Sequence, residues 1–291
     1  MVVSQVDAIG MTLKVATPAD VDEIDYLLRG GERSHLRFQL ESLPGLVRDG
    51  HITILEQGHE PLGFAYVTLD YPNSSIRGLV VRRSREAGPV LDGLLSQVLP
   101  RARALGAMSI IFIGDDNWLV PHLRRQGFLP AGQIVSLRRP GTFLPARGNH
   151  SFRVRPALER DLEHIVAIDW SAFEPYWRNG PQTMRELLEQ MPHFLVATDD
   201  GRPEGYVCGT LCGTVGHVVR LAVSPEAQGL GIGTRLVSEL LRRMAAEGVR
   251  SLALNTQRDN HQSQSFYRSL GFYRSEKPTS VYRYLLEDSH R

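Results

Sequence analysis

The chain has 291 residues, 42% of them hydrophobic, enough for one large domain or for two of about 145 residues that each bury a core. Its 33 lysines and arginines nearly balance 32 acids, so a formal charge of +1 gives no reason to expect a nucleic-acid or membrane-surface partner. No stretch reaches the roughly 18 apolar residues of a membrane span, and the opening MVVSQVDAIGMTLK lacks a basic segment followed by an apolar one, so a cytoplasmic protein is expected.

In chain order, an extended segment at 13–16 precedes a helical pattern opened by DVDEI (20–24). PLGFAYV (61–67) and LVV (79–81) read as strands, and LRRQGF (123–128) closes a short helix. Then comes PGTFLPARGNHS (140–151), with two prolines, two glycines and little apolar periodicity, which reads as a linker. Beyond it the plan returns. DLEHI (161–165), PEGYVCG (203–209), LAV (221–223) and YRSLGF (267–272) repeat the earlier segments at offsets of 141, 142, 142 and 144 residues. Two copies of one mixed α/β layout are therefore expected, one over 1–139 and one over 152–291, joined by 140–151. In the second copy, strands are predicted at 152–155, 194–198, 205–212, 218–223, 251–255 and 281–286. Helices are predicted at 159–170, 182–190, 232–247 and 262–270, the third ending at Gly248 as a C-terminal glycine should.

Both cysteines, Cys208 and Cys212, fall at even spacing in a strand-like run, roughly 13 Å apart on one face and too far for a disulfide. They read as small buried residues of a reduced protein. No histidine stands at ligand spacing, so no metal is expected. The aromatics Trp170, Phe173, Tyr176 and Trp177 fit a core-facing helical stripe, with an acceptor wall as the alternative.

The segment SPEAQGLGIGTRLV (224–237) places Gly229, Gly231 and Gly233 on alternate positions between a strand and a helix. A dinucleotide fingerprint needs a glycine where Thr234 stands, and a Walker loop needs a lysine that is missing. An anion cradle fits better: free N–H groups and a helix N-terminus facing a pyrophosphate, with glycine keeping Cβ atoms away. A purely structural glycine turn is the alternative.

Gln228-Gly229-Leu230-Gly231-Ile232-Gly233 resembles the Q/R-x-x-G-x-G/A motif of the GCN5-related N-acetyltransferases. RLAVSPE before it and NTQRDNHQSQSFYRSLGF after it stand where that family has its central strand and second cofactor segment. The resemblance covers 152–286 and implies an acetyl-CoA-dependent transfer to a primary amine, a small molecule or a peptide N-terminus. It assigns the pyrophosphate to residues 228–234: Gln228, Gly229, Leu230, Gly231, Ile232, Gly233 and Thr234. It assigns pantetheine to the strand Leu221, Ala222 and Val223, with the oxyanion donor at Val223 or Ala222, and a further coenzyme contact to Asn260, for which helix capping is the rival. Tyr267 matches the family's sulfur-side acid. His217 stands six before Val223, where the family often has a glutamate base, and Glu174 is a second candidate base. DWSAFEPYW (169–177) is similar to the acceptor segment of the branch acting on ribosomal-protein N-termini, but that branch has a glutamate where this chain has Asn255.

In the first copy the same offset sets Glu86 against Gln228, Pro89 against Gly231 and Leu91 against Gly233. A carboxylate repels phosphates and proline lacks an N–H, so this copy is expected to keep the fold without the coenzyme site. A non-catalytic acyl-CoA sensor is the competing class of function, and the residues do not fix an oligomeric state.

Overall fold

The computed structural model describes residues 4–6, 10–30, 33–38, 43–48, 50–82 and 85–286. In chain order these form β1 (Ser4–Val6), β2 (Met11–Val15), α1 (Val21–Gly30), β3 (Arg33–Leu36), α2 (Leu43–Arg48), β4 (Ile52–Gln57), β5 (Glu60–Thr68) and β6 (Asn73–Val81). There follow α3 (Ala87–Ala104), β7 (Ser109–Ile113), α4 (Val120–Arg125), β8 (Leu129–Pro140), β9 (Arg153–Pro156), α5 (Leu162–Ala172), α6 (Pro181–Gln190), β10 (His193–Asp199) and β11 (Arg202–Cys212). The chain ends with β12 (Val215–Val223), α7 (Ile232–Ala246), β13 (Ser251–Gln257), α8 (His261–Ser269), β14 (Tyr273–Arg274) and β15 (Thr279–Leu285). The chain divides into two compact units, one of residues 1–131 with 280–291 and one of residues 132–279. These limits do not coincide with a cut at 140–151. Each unit takes a strand from across that linker.

In the first unit, β1, β2, β4, β5 and β6 pair antiparallel in that order, and β7 runs parallel to β6. β15 completes the sheet beside β7, from Val281 opposite Ile113 to Leu285 opposite Ser109. The parallel pair is joined by α3, the usual helical crossover. One face of the sheet carries Leu55, Leu62 and Val81 against Val90, Leu91 and Leu94 of α3, and the other carries Ile54, Phe64 and Val80 against Ile24 and Leu27 of α1. β6 and β7 pair only over Asn73–Ser75 and Ser109–Ile111. Beyond that point β3 takes the edge, with Arg33 opposite Val81 and Leu36 opposite Gly78.

The second unit repeats the plan. β9, β10, β11 and β12 pair antiparallel, β13 runs parallel to β12, and residues 134–140 of β8 run antiparallel to β13. α7 packs Leu236, Val237, Leu240, Leu241 and Met244 on one face. α5 and α6 cover the other, over Phe194, Val196, Tyr206 and Ala222. The alternation expected for Cys208 and Cys212 fails, because the register of β11 slips between Cys208 and Gly209. Cys208 is buried and burial pushes its thiol up to about 12, whereas Cys212 is exposed. No helix among the described residues is long and apolar enough to cross a membrane.

Candidate active site

Pairing between β12 and β13 stops at Val218 opposite Leu254, although β12 continues to Val223 and β13 to Gln257. β13 turns away to match Asn255, Thr256 and Gln257 with Ser136, Val135 and Ile134 of β8. Among the described residues no strand pairs with the edge of β12 thus left open. Its donors can be named. Ser224 donates its N–H to Glu204 O on the β11 side at 2.9 Å, and residues two apart on a strand point their N–H groups the same way. Ala222 therefore faces β11, where its carbonyl would meet a Cβ built on Gly205 at 2.9 Å. Leu221 and Val223 face the gap. Of Val223 and Ala222, only Val223 turns its N–H to the gap.

The strand leads through the turn Pro225–Ala227 into the glycine loop and α7. Gly229 and Gly231 have φ of 81° and 80°, a conformation that strains any L side chain, and nothing lies within 4 Å of a Cβ built on Gly229. Gly231 is the N-terminal boundary of α7, and no side chain caps the helix there. Free N–H groups at the start of a helix of this length, beneath an open glycine, fit a pyrophosphate. Yet chain packing also acts at two of the three glycines. A Cβ on Gly231 would lie 3.3 Å from the N of Asn149, which itself donates to Gly231 O at 3.3 Å, and a Cβ on Gly233 would lie 3.2 Å from the Phe266 ring. Gln228 ties the loop down, donating to Val223 O at 3.2 Å and accepting from Gln262 of α8 at 3.1 Å.

Tyr267 of α8 is buried, 6% exposed, between Phe266 and Phe272 at ring separations of 5.0 and 5.4 Å. Burial pushes its phenol well above the ordinary value, so it stays protonated. Phe266, its neighbour, makes the contact with Gly233, which brings α8 against the start of α7. Asn260 is the N-cap of α8: its side-chain oxygen accepts from Ser263 N at 2.8 Å, so that oxygen is committed to the helix. His217 is half-buried at the closed end of the gap, opposite Ala253, one residue before the last β12–β13 pair. Glu174 is exposed, just before the turn Pro175–Trp177.

The aromatic segment is not one helical stripe. α5 ends at Ala172, Phe173 is extended, and a separate short turn carries Tyr176 and Trp177. What organises it is a residue that sequence reading missed, Arg220 on β12. Its guanidinium donates to both oxygens of Asp169, at 2.6 and 3.0 Å, and to Trp177 O at 2.6 Å, while lying 3.8 Å from the Phe173 ring centroid. Tyr206 adds an O–H bond of 2.5 Å to Asp169. Asp169 also accepts from Asn179 N at 2.9 Å, and Trp170 donates its indole N–H to Asn179 O at 2.8 Å. Burial works against the Arg220 charge, but Asp169 beside it outweighs burial and its pKa is raised. The signal in the sequence was an arginine between the apolar runs 218–219 and 221–223.

A family model described as acetyltransferase (GNAT) family matches residues 162–272, wholly inside the second unit. N-alpha-acetyltransferase 30 of Schizosaccharomyces pombe is 32% identical over 136 residues, which cover 44% of this chain and 83% of that protein. The chain belongs to the GNAT acetyltransferase family. It is an acyltransferase. A mycothiol acetyltransferase of Arthrobacter sp. (strain FB24) is 27% identical over 236 residues, 73% of this chain and 71% of that one. Among solved structures, a tandem GNAT protein from the clavulanic acid biosynthesis pathway matches with TM-score 0.63 at 14% identity, over 96% of this chain and 99% of that chain. This likeness extends the GNAT fold to both units.

Proposed function

We propose that the second unit transfers an acetyl group from acetyl-CoA to a primary amine, by direct attack while both substrates are bound. The observation that carries this reading is the open edge of β12, which runs straight into the uncapped start of α7. An extended pantetheine pairs with Leu221 and Val223 as an added strand would, and its pyrophosphate rests on the N–H groups of residues 229–234. The thioester oxygen then accepts from Val223 N–H as negative charge develops there.

A lysine-type amine with pKa about 10.4 is less than about 0.1% neutral at pH 7, and an α-amine near 8 about a tenth neutral, so a base matters more for the former. His217, at the closed end of the gap, is assigned that role, with the exposed Glu174 second. As the new C–N bond forms and the C–S bond breaks, the amine proton passes to the base and the leaving sulfur needs a donor. Tyr267 supplies it. Because burial has already made its phenol a weaker acid, it acts by hydrogen bonding to the thiolate rather than by complete proton transfer. Two relatives are named for mycothiol and for α-amino groups, which supports a small amine or a peptide N-terminus as acceptor. The first unit, in this reading, has no coenzyme site, since β3 occupies the corresponding edge of β6.

The test is a panel of small amines and peptides assayed by release of free thiol from acetyl-CoA. Tyr267→Phe is expected to lower kcat by about 10²-fold or more with acetyl-CoA affinity within about twofold. A kcat within a few-fold of the parent would remove Tyr267 from the mechanism.

A further inference from the structure

In the first unit, the stretch of β6 that corresponds to the open edge of β12 is paired on both sides. β5 takes one edge and Arg33, Ser34, His35 and Leu36 of β3 take the other. A strand in that place fills the room an extended ligand tail would need. Beside the start of β3, a cleft of about 570 Å³ remains, lined among others by Arg33, Glu86, Pro89, Trp118, His122 and Arg125.

The charges in this cleft are unbalanced. Arg33 donates to Arg85 O at 2.7 Å and Arg125 donates to His122 Nδ1, and among the described residues neither guanidinium is hydrogen-bonded to a carboxylate. With Nδ1 accepting, the neutral His122 ring carries its hydrogen on Nε2. The pKa of His122 is lowered, first by burial and then by Arg125 and Arg33, with Asp92 acting in the opposite sense. The ring lies against the start of α3, where a Cβ on Gly88 would meet its Cε1 at 3.5 Å. The first turn of α3 has no acidic residue and no side-chain cap, and among the described residues no backbone carbonyl accepts from the N–H of Ala87 or Gly88, so these donors suit an outside acceptor.

We propose that this cleft binds a compact phosphate monoester, held by Arg33, Arg125, His122 and the start of α3, with its organic part against Trp118. Two guanidiniums in the lining against the one lining carboxylate, Glu86, with Asp92 behind His122, favour an anion, and arginine pairs grip phosphate oxygens through paired N–H bonds. Coenzyme A is the wrong shape for it: β3 blocks the tail, and Pro89 removes a donor where the second unit has Gly231. The cleft thereby corresponds to the phosphate end of the second unit's plan, with side-chain cations in place of a glycine cradle.

The test titrates the full chain with phenyl phosphate and with inorganic phosphate while the imidazole signals are followed by NMR, His122 being assigned through His122→Gln. The expected result is a saturable change at His122, with its pKa rising as the anion binds, and tighter binding of phenyl phosphate than of inorganic phosphate. Arg125→Gln, at an exposed position, is expected to weaken binding by about tenfold at an unchanged melting temperature, and Arg33→Gln to weaken it by a similar factor. No saturable response up to the order of 10 mM overturns the proposal, as does equal affinity in Arg125→Gln. Coenzyme A binding at His122 more tightly than phenyl phosphate also overturns it, by making the cleft a second coenzyme site.

Discussion

Asp169 is fully buried, and its charged partner is Arg220, 14% exposed at its side chain, beside the hydrogen bonds from Tyr206 and Asn179. Removing one member of such a pair leaves an uncompensated charge in the core and costs about 3–5 kcal/mol. Arg220→Met is therefore expected to lower unfolding stability by that amount in urea titration, whereas a change under about 1 kcal/mol would show that the hydrogen bonds from Tyr206 and Asn179 suffice for Asp169 without the arginine. The same substitution frees Trp177 O and the Phe173 ring, so the surviving folded protein is expected to lose affinity for acceptor before it loses affinity for acetyl-CoA. Little of this was legible in the sequence. Asp169, Trp177 and Tyr206 lie far along the chain from Arg220, and a charged side chain in a strand reads as solvent-facing until the helix covering it is known. The glycine turn before α7 and the helix that carries Tyr267 were legible because their spacing is fixed by one loop and one helix.

At the scale of elements, α7 concentrates both charge and strain. Arg242 and Arg243, with Arg235 more distantly, surround Glu239, and first Arg242, then Arg243, hold its carboxyl down at about 2 against an ordinary 4.5. A depressed folded-state pKa means that the stabilisation is fully present above about pH 4.5 and is lost as pH falls towards 2. Thermal melts across that window should fall more steeply for the parent than for Glu239→Gln; parallel curves would mean the carboxylate is not perturbed. Arg235 is thus turned at least partly to its own helix. Gly231→Ala forces an L side chain into the left-handed region, so it is expected to cost about 1–2 kcal/mol of stability together with coenzyme affinity. Loss of affinity at full stability would instead assign Gly231 to the ligand alone. α7 and α8 were predicted to within a residue at each end because their apolar periodicity is strong, whereas β11 and β12 each begin three residues before the predicted strands. The contact of Asn149 with Gly231 was invisible, since a linker has no periodicity that could announce where it packs.

On the scale of the whole molecule, the repeat in the sequence located two copies of one plan but not the exchange of strands between their segments. A strand's partner depends on where the chain returns, which composition at 129–140 or 279–285 does not encode. A fragment of residues 152–291 lacks Val135 and Leu137 and leaves the β13 edge bare, and residues 1–139 lack β15, the antiparallel partner of β7. Both are expected to aggregate or to melt without cooperativity, whereas residues 132–279 should melt cooperatively, as followed by circular dichroism and size-exclusion chromatography. Equal behaviour of 152–291 and 132–279 would make β8 dispensable to the second unit. The central claim, that acetyl-CoA is held by the second unit through the open edge of β12, is tested most directly by a crystal structure of the full chain grown with acetyl-CoA. The account predicts one coenzyme per chain, its pantetheine beside Leu221 and Val223 and its pyrophosphate on residues 229–234. Coenzyme density along β6 of the first unit, or an empty gap between β12 and β13 with the coenzyme elsewhere, would contradict it.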